Sequence, residues 1–470
     1  MTDLNQALKQ YFGFETFKPG QEAIVQAVLA GQDTLAVLPT GSGKTLCYQL
    51  PGLLMPGLVV VVEPLLALME DQVARLQVLG EKQVAALSSR LAPADFAAVL
   101  RTLDQEKFLF ISPETLARPD VQGRLRQLPV GLLVVDEAHC ISQWGPDFRP
   151  AYLKLGQARA VLHPRVTLAL TATAPKQVQA DILTGLQLPD ATCLIGSVDR
   201  PNLFLGVEQL PSDQVRAARA LALVQAVAGP QIIYFDRKRA AEEFSATLNA
   251  HDIKAAYYHA GLTAPQRDLV QRQFMADQLQ VICATSAFGM GIDKPDVRLV
   301  LYLHLPESLE AYSQGIGRAG RDGQKALTML LLGPNDVARA GQFAASVPDE
   351  NLIQTIFKHP SAYQDFDDPQ VALVEAYIQA GFSQTAVLAQ LSGRREDKQA
   401  SFTAMANLLQ APCKRAALMA YFDSPAQPHS AFCCGEATPA VLAQLPQTPP
   451  PAQMSRASWS VIFKRIFNSK

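Results

Sequence analysis

The stretch DTLAVLPTGSGKTLCYQ, residues 33–49, joins an apolar run typical of a buried strand to a glycine-containing turn and then to a segment that predicts a helix. Its two glycines let backbone N–H groups approach a phosphate, and the start of the helix adds its positive dipole end. Lys44 can reach terminal phosphates and Thr45 can ligate Mg²⁺. The alternative is a glycine-rich turn with an incidental lysine, which the flanking strand and helix disfavour. The loop that we predict to bind a nucleotide phosphate comprises Thr40, Gly41, Ser42, Gly43, Lys44 and Thr45.

A second apolar run, GLLVVDE at 131–137, ends in two carboxylates, Asp136 and Glu137. A hydrolase built on a phosphate loop needs one carboxylate for the metal and one to polarise the attacking water. We therefore predict that Asp136 binds Mg²⁺ together with Thr45, and that Glu137 is the catalytic base. A solvated strand end is the alternative for such a pair on its own.

An aromatic and basic loop follows the acid pair at once, with Trp144, Phe148 and Arg149. Every nucleobase offers a π-face, so this loop can sense a stacked single strand and move the carboxylates beside it. Simple packing of the two aromatic residues is the alternative.

The bulk composition is that of a modular protein without membrane segments. A chain of 470 residues, with 49% hydrophobic and 18% charged residues, predicts two or three domains. No apolar run is long enough to cross a bilayer, and the N-terminus lacks a secretory signal, so we expect a cytoplasmic location. Seven scattered cysteines fit a reducing compartment, and a net charge of -2 excludes only a globally basic coat.

Short apolar runs alternate with helical segments twice, which predicts an α/β fold with two parallel sheets flanked by helices and a cleft between them. The segments that we expect to be strands are DTLAVLP, LVVVVE, FLFIS, GLLVVDE, VTLALT, QIIYFD, IKAAYY, LQVICAT, VRLVLYL and ALTMLLL. A small, mostly helical module follows. The predicted units are residues 1–200, 201–335, 336–436, and a proline-rich linker with a basic amphipathic tail at 437–470.

DEAH joined to CISQWGPDFRP, together with FGFETFKPGQ near the N-terminus, resembles the RecQ family of superfamily 2 DNA helicases, and in particular its short, RecS-like type. The resemblance implies two tandem RecA-like domains and an ATP- and Mg²⁺-dependent motor that unwinds duplex DNA from 3′ to 5′ in replication, recombination or repair. It implies single-stranded and forked DNA as partners. An RNA helicase, or a repair scaffold with a weakened motor, are the alternatives.

The same resemblance assigns further residues. Phe14 would stack on adenine while Lys18 and Gln21 read its edge, and Glu63 stands where the family usually has serine beside DNA. Arg318 and Arg321 are the candidates for an arginine that stabilises the transferring phosphate, and Gly315 replaces a family glutamate. The remaining residues assigned to hydrolysis, to the cleft or to coupling with DNA are Thr171, Thr173, Thr285, Gly289, Gly291, Asp293 and Gln314.

The family also implies a zinc site, of which Cys413, Cys433 and Cys434 match three ligand positions and Ala437 stands at the fourth. His429 or Glu436 could substitute, but adjacent cysteines point apart unless the backbone turns sharply. We therefore expect the zinc to be lost. For the tail from Met454 to Lys470, we expect a helix that docks on the body or on a single-stranded-DNA-binding protein, and a weakly ordered terminus is the alternative.

Overall fold

The computed structural model describes residues 3–88, 90–142, 150–288, 294–363, 366, 368–379, 382–426 and 428–447. Within these residues it contains two parallel sheets of seven strands each, and both are covered by helices. The α/β fold class predicted from the alternating apolar runs is confirmed. None of the helices in this part of the chain combines the length and the apolar character needed to cross a bilayer.

The first domain is a sheet whose strands are almost completely buried because helices cover both faces. Its strands are β1 Thr34–Val37, β2 Leu58–Val62, β3 Val84–Leu87, β4 Phe108–Ile111, β5 Val130–Val135, β6 Val166–Thr171 and β7 Thr192–Ile195, in the order β3-β4-β2-β5-β6-β1-β7. Its helices are α1 Leu4–Phe12, α2 Gln21–Leu29, α3 Leu46–Leu54, α4 Leu66–Val78, α5 Pro93–Arg101, α6 Pro113–Leu116, α7 Pro119–Leu125, α8 Leu155–Leu162 and α9 Lys176–Gly185. Short 3-10 helices lie at Leu103–Gln105, Ala138–Ile141 and Pro150–Lys154.

The second domain repeats the arrangement. Its strands are β8 Leu203–Gln209, β9 Gln231–Tyr234, β10 Ala255–Tyr258, β11 Val281–Ala284, β12 Leu299–Tyr302 and β13 Ala326–Leu332, and its helices are α10 Asp213–Ala226, α11 Lys238–Ala250, α12 Ala264–Met275 and α13 Leu309–Ile316. The sheet order is β10-β11-β9-β12-β13-β8-β14, where β14, Cys434–Gly435, comes from the C-terminal module.

The C-terminal module is helical, with a 3-10 helix at Pro360–Ala362 and α14 Asp336–Ala345, α15 Glu350–Lys358, α16 Pro369–Gln379, α17 Gln384–Gln410, α18 Lys414–Tyr421 and α19 Pro439–Leu442. Its first helices build a core of their own around Ile356 and Val374. The end of α17 and all of α18 instead share a core with the second sheet, through Met405, Leu418 and Phe422. The module therefore packs directly on the second domain.

The prediction of a poorly ordered linker from residue 437 is wrong for 437–447. Ala437, Val441 and Leu445 recur every four residues, and all three are buried in the core of the second domain. Residues 448–470, and with them the predicted tail, lie outside the described residues.

Candidate functional site

The predicted phosphate loop follows β1 at the carboxyl end of the first sheet, where parallel α/β sheets place their ligands. Gly41 and Gly43 have φ values of 84° and 77°, in the left-handed region that favours glycine. A methyl group on Gly43 would also lie 2.7 Å from Gln21 Nε2. The Ser42 hydroxyl is buried and has no hydrogen-bond partner among the described residues, so this loop keeps an unused polar group of the kind that a phosphate oxygen could engage.

Gln21 and Lys18 hold the phosphate loop by hydrogen bonds to its backbone carbonyls. Gln21 Nε2 donates to the carbonyl oxygens of Ser42 (2.8 Å) and Gly43 (3.0 Å), and its Oε1 accepts from the Lys18 amide at 2.8 Å. Lys18 Nζ donates to the Gly41 carbonyl at 3.2 Å, while Phe14 is exposed. Of the three residues predicted to contact adenine, Lys18 and Gln21 are hydrogen-bonded to the loop backbone, and the exposed Phe14 lies earlier in the chain.

The acid pair lies at the end of β5. Glu137 has φ 46° and ψ 47°, a conformation that is rare for a residue with a side chain and that clusters at functional sites. Asp136 Oδ1 accepts from the Glu137 amide at 2.8 Å, and Lys44 Nζ lies 3.7 Å from Glu137 Oε2. The predicted phosphate-binding lysine and both predicted catalytic carboxylates therefore meet at one place.

His139 connects this pair to the end of β6. Its Nδ1 lies 2.9 Å from Thr171 Oγ1 and 3.4 Å from Glu137 Oε2. Because the Thr171 hydroxyl donates to the Thr173 carbonyl at 3.1 Å, the Thr171 oxygen accepts from His139, which places a proton on Nδ1. This short chain joins Glu137 to Thr171 and Thr173, the residues predicted to couple hydrolysis to domain movement.

Glu63 is a member of this site that the sequence analysis placed elsewhere. Strands β2 and β5 are neighbours and pair Val62 with Val135, so Glu63 and Asp136 end adjacent strands. Glu63 is buried and accepts from the Leu65 amide at 3.2 Å, so it does not offer a surface to DNA here. Burial, and then the charges of Asp136 and Glu137, raise the pKa of Glu63 well above its usual range.

The charge balance of the acid site fits a divalent cation. Burial raises the pKa of Asp136 to about 6, with Lys44 opposing and Glu137 adding to the rise. Burial disfavours the charged carboxylate, and the positive charge of Lys44 only partly offsets that effect. Carboxylate and hydroxyl oxygens are ligands that Mg²⁺ accepts, and Asp136 and Thr45 supply one of each.

The second domain brings the turn 317–321, which follows α13, against the phosphate loop. A methyl group on Gly41 would lie 2.9 Å from Arg321 Cγ, and one on Gly317 would lie 2.9 Å from Thr40 Cβ. Arg318 is buried within its own domain, hydrogen-bonded to Tyr234, and its Nε has no hydrogen-bond partner among the described residues. Of the two candidate arginines, Arg321 is the one whose side chain lies directly beside Gly41.

The remaining predicted residues are partly described. Thr285 directly follows β11, and its amide donates to the Tyr258 carbonyl at 3.1 Å, while Gln314 lies half-buried in α13. A methyl group on Gly315 would lie 1.7 Å from the Tyr302 hydroxyl, so a larger residue there would require Tyr302 to move. Predicted residues that lie outside the described residues are Trp144, Phe148, Arg149, Gly289, Gly291 and Asp293.

The residues that flank the aromatic loop are tied to the first domain on both sides. Ser142 Oγ donates to Asp181 Oδ2 on α9 at 2.6 Å. After the loop, the Tyr152 hydroxyl donates to the Asp136 carbonyl at 3.0 Å. The second of these hydrogen bonds reaches the backbone of the acid pair itself.

The cysteines of the C-terminal module form a cluster with a fourth donor. Ligand atoms of Cys413, His429, Cys433 and Cys434 all lie within 4.8 Å of one another. Cys413 Sγ is 3.7 Å from the Sγ atoms of both Cys433 and Cys434, close to the edge of about 3.8 Å in a zinc–thiolate tetrahedron. Burial raises the pKa of Cys413, but hydrogen bonds from the Ala416 amide and from the other three members outweigh it and lower that pKa to about 7.

Adjacent cysteines were expected to point apart unless the backbone turned sharply, and here both thiols lie close to Cys413. Cys433 directly precedes β14 and Cys434 begins it, and the chain then passes through Gly435 at φ 130°. His429 stands in the fourth position that the sequence alone left without a cysteine. The donor set therefore fits zinc in number, chemistry and spacing.

The comparisons with known proteins agree with the fold and with these motifs. Residues 18–181 match the DEAD/DEAH box helicase family, and residues 214–323 match the helicase conserved C-terminal domain. The chain is 42% identical to the probable ATP-dependent DNA helicase RecS of Bacillus subtilis over 456 residues, which cover 92% of each chain. It is 40% identical to the ATP-dependent DNA helicase RecQ of Haemophilus influenzae over 70% of this chain, and the match spans about half of that relative (53%).

Solved structures share the fold at low identity. The helicase MrfA bound to DNA aligns with a TM-score of 0.59 at 17% identity, covering 77% of this chain and 53% of MrfA. The Mycobacterium smegmatis helicase Lhr bound to single-stranded DNA aligns with a TM-score of 0.58 at 20% identity, covering 92% and 63% of the two chains. Together with the RecS match, the two tandem sheets and the phosphate loop facing an arginine turn show that the chain belongs to the RecQ and RecS family of ATP-dependent DNA helicases.

Proposed function

We propose that this helicase separates DNA strands by opening and closing the cleft between its two sheets, and that it moves from 3′ to 5′ along one strand. The observation that carries the proposal is the contact of the turn 317–321 with the phosphate loop, because it makes the site complete only when both domains meet. Hydrolysis would then alternate between a closed, reactive cleft and an open one.

The proposed chemistry assigns one task to each group. Lys44 and the loop amides bind the terminal phosphates, and Thr45 and Asp136 hold Mg²⁺, which when bound neutralises charge on the phosphate oxygens. Glu137 accepts a proton from the attacking water, and its position is set by Asp136 and His139. Arg321 delivers positive charge from the second domain as the phosphate separates, and Arg318, buried in the same turn, is the second candidate for that role.

DNA would act through the aromatic loop. We assign the sensing of a stacked single strand to Trp144 and Phe148, with Arg149 at the backbone, and the two anchored flanks of the loop would pass that movement to Asp136. The test compares ATP hydrolysis with single-stranded DNA and with RNA. Stimulation by DNA alone would support a DNA motor, and stimulation by RNA alone would favour an RNA helicase.

The direct test is unwinding of forked duplexes with ATP, comparing a 3′ tail with a 5′ tail. Release of the strand from the 3′-tailed substrate alone supports the proposed polarity. ATP hydrolysis without strand release from either substrate would favour the scaffold with a weakened motor.

We further propose that Cys413, His429, Cys433 and Cys434 hold one zinc ion, in place of the loss expected from the missing fourth cysteine. A closed site of four protein ligands is structural and stabilises the fold that brings its ligands together. Metal analysis should find one zinc per chain, reduced in His429→Ala with a lower melting temperature. Well below one zinc, and a melting temperature that a chelator leaves unmoved, would restore the earlier expectation.

All seven cysteines, each within the described residues, are free of disulfide bonds, which supports a reducing compartment such as the cytoplasm.

For residues 454–470 we propose docking on the body or on a single-stranded-DNA-binding protein. Deletion of the tail should weaken unwinding or pull-down of that partner, and no change in either would rule the role out.

A further inference from the structure

The segment between the two sheets, residues 196–202, carries an arginine that bonds to both sides of the cleft. Arg200 Nη1 donates to the Thr40 carbonyl of the phosphate loop at 2.9 Å and lies 3.4 Å from the Gly317 carbonyl. Its Nη2 donates to the carbonyls of Ala319 at 3.0 Å and Gly320 at 2.7 Å. One guanidinium therefore connects the phosphate loop to the turn that carries Arg321.

A second side chain of the same segment converges on that turn. Asn202 Nδ2 donates to the Gly320 carbonyl at 2.8 Å, the acceptor that Arg200 also uses, and to the Gln324 carbonyl at 2.8 Å. All these acceptors are backbone oxygens, so the contacts fix the path of the turn rather than one of its side chains. The path of the turn decides where Arg321 lies.

The backbone of Arg200 is itself held by the C-terminal module. Arg415 of α18 is buried, forms an ion pair with Asp199, and donates to the carbonyl of Arg200 at 3.0 Å and to that of Leu203. The Arg200 side chain therefore extends from a fixed point. A mobile tether between two domains would not need such a fixed point.

The charged Arg200 guanidinium lies at an electrostatically unfavourable position, which points to a functional role for this side chain. Burial, and then the charge of Arg321, lower the pKa of Arg200 to about 10, although Asp322 opposes the shift. Two like charges are thus brought together beside a phosphate loop. A planar guanidinium can reach several carbonyls at once, whereas a lysine offers a single point of donation.

We propose that Arg200 is a positioning residue that sets the Arg321 turn against the phosphate loop for hydrolysis. It acts through backbone carbonyls and not on the nucleotide itself. This inference rests on the proposed function, in which Arg321 serves hydrolysis across the cleft.

The test compares Arg200→Lys and Arg200→Gln with a matched control, Arg272→Ala, which removes an exposed arginine that pairs only locally with Asp268. Both Arg200 variants should lower kcat for DNA-stimulated hydrolysis by about 100-fold, the effect of a misplacement of about 1 Å. The Kd for a fluorescent, slowly hydrolysed ATP analogue should stay that of the wild type, as should the melting temperature of the lysine variant. The control should match the wild type in all three measurements.

A double variant separates positioning from an independent role. If Arg200 acts through the turn, Arg200→Lys combined with Arg321→Ala should be no slower than Arg321→Ala alone. A double variant whose loss of kcat is the product of the two single losses would overturn the inference. A wild-type kcat in Arg200→Lys would also overturn it. So would a loss of nucleotide affinity equal to the loss of kcat, or an unfolded Arg200→Lys protein. If the wild-type protein hydrolyses no ATP with DNA present, the proposed function fails, whereas an active wild type with an equally active Arg200→Lys refutes only this inference.

Discussion

Replacing Asp136 by asparagine should stabilise the protein without nucleotide or metal while it abolishes hydrolysis. Asp136 is buried, and its pKa in the folded protein rises from 3.8 to about 6, which corresponds to about 3 kcal/mol of destabilisation by its charge at neutral pH. Asparagine keeps an oxygen to accept from the Glu137 amide. Its buried NH₂ group costs about 1 kcal/mol, so the net gain is about 2 kcal/mol.

The pH dependence of this gain identifies its cause. Below pH 3.8 the carboxyl is protonated in both the folded and the unfolded states, so its charge costs nothing there. The cost grows as the pH rises from 3.8 to about 6 and is complete above that. Between pH 7.5 and pH 5 the advantage of asparagine should therefore fall by about 1.4 kcal/mol.

Unfolding by urea and by heat is measured by circular dichroism in the presence of EDTA, at pH 7.5 and at pH 5. The control is Asp190→Asn, which changes an exposed aspartate of the same domain. If the first domain unfolds as a unit, the melting temperature at pH 7.5 should rise by about 4–8 °C. A variant that is no more stable than the wild type, or a gain that is equal at both pH values, would refute the charge argument.

Three other results should follow from the site. Lys44→Ala and Glu137→Gln should each slow ATP hydrolysis by a factor of at least about 100, while Glu137→Gln still binds ATP; near wild-type turnover in Glu137→Gln would remove it as the base. Arg321→Ala should lower kcat by about 1,000-fold, and Arg318→Ala should also do so by orders of magnitude but with a lower melting temperature, because Arg318 is buried; a fully active Arg318→Ala would limit the cleft contact to Arg321. Trp144→Ala should keep basal hydrolysis and lose stimulation by single-stranded DNA in a rate comparison; intact stimulation or an unfolded protein would favour the packing role.

Hydrophobic alternation was sufficient to predict most of both sheets. Each of the ten apolar runs quoted from the sequence contains a strand of the structure. Hydrophobic alternation did not predict the strands β3, β7, β8 and β14. Strand β3 has two alanines among four residues, β7 is half-exposed at a sheet edge, and the two-residue β14 exists only through its pairing with β8. Tertiary context decides such segments, because their own sequences carry little preference.

Candidate residues that belong to a continuous sequence motif could be named from the sequence, whereas contacts between distant parts of the chain could not. The phosphate loop and the acid pair are local motifs, so their members could be named in advance. Glu63 could have been placed only from the order of the strands, which puts the end of β2 beside the end of β5. His429 was named as one of two possible substitutes for the missing cysteine, and only the structure shows that its ring nitrogen lies among the three thiols.

The contacts of Arg415 show why the C-terminal module belongs to the motor. Cys413 caps α18 by accepting from the Ala416 amide, and Arg415 in the same turn bonds to the carbonyl of Arg200. Arg200 in turn bonds to Thr40 of the phosphate loop. A short series of contacts thus connects the cysteine cluster with the nucleotide site, and coupling between two sites is reciprocal in free energy. If ordering of the first turn of α18 favours the cleft arrangement in which Arg200 reaches both of its sides, then closure of the cleft on a nucleotide must stabilise that turn to the same extent.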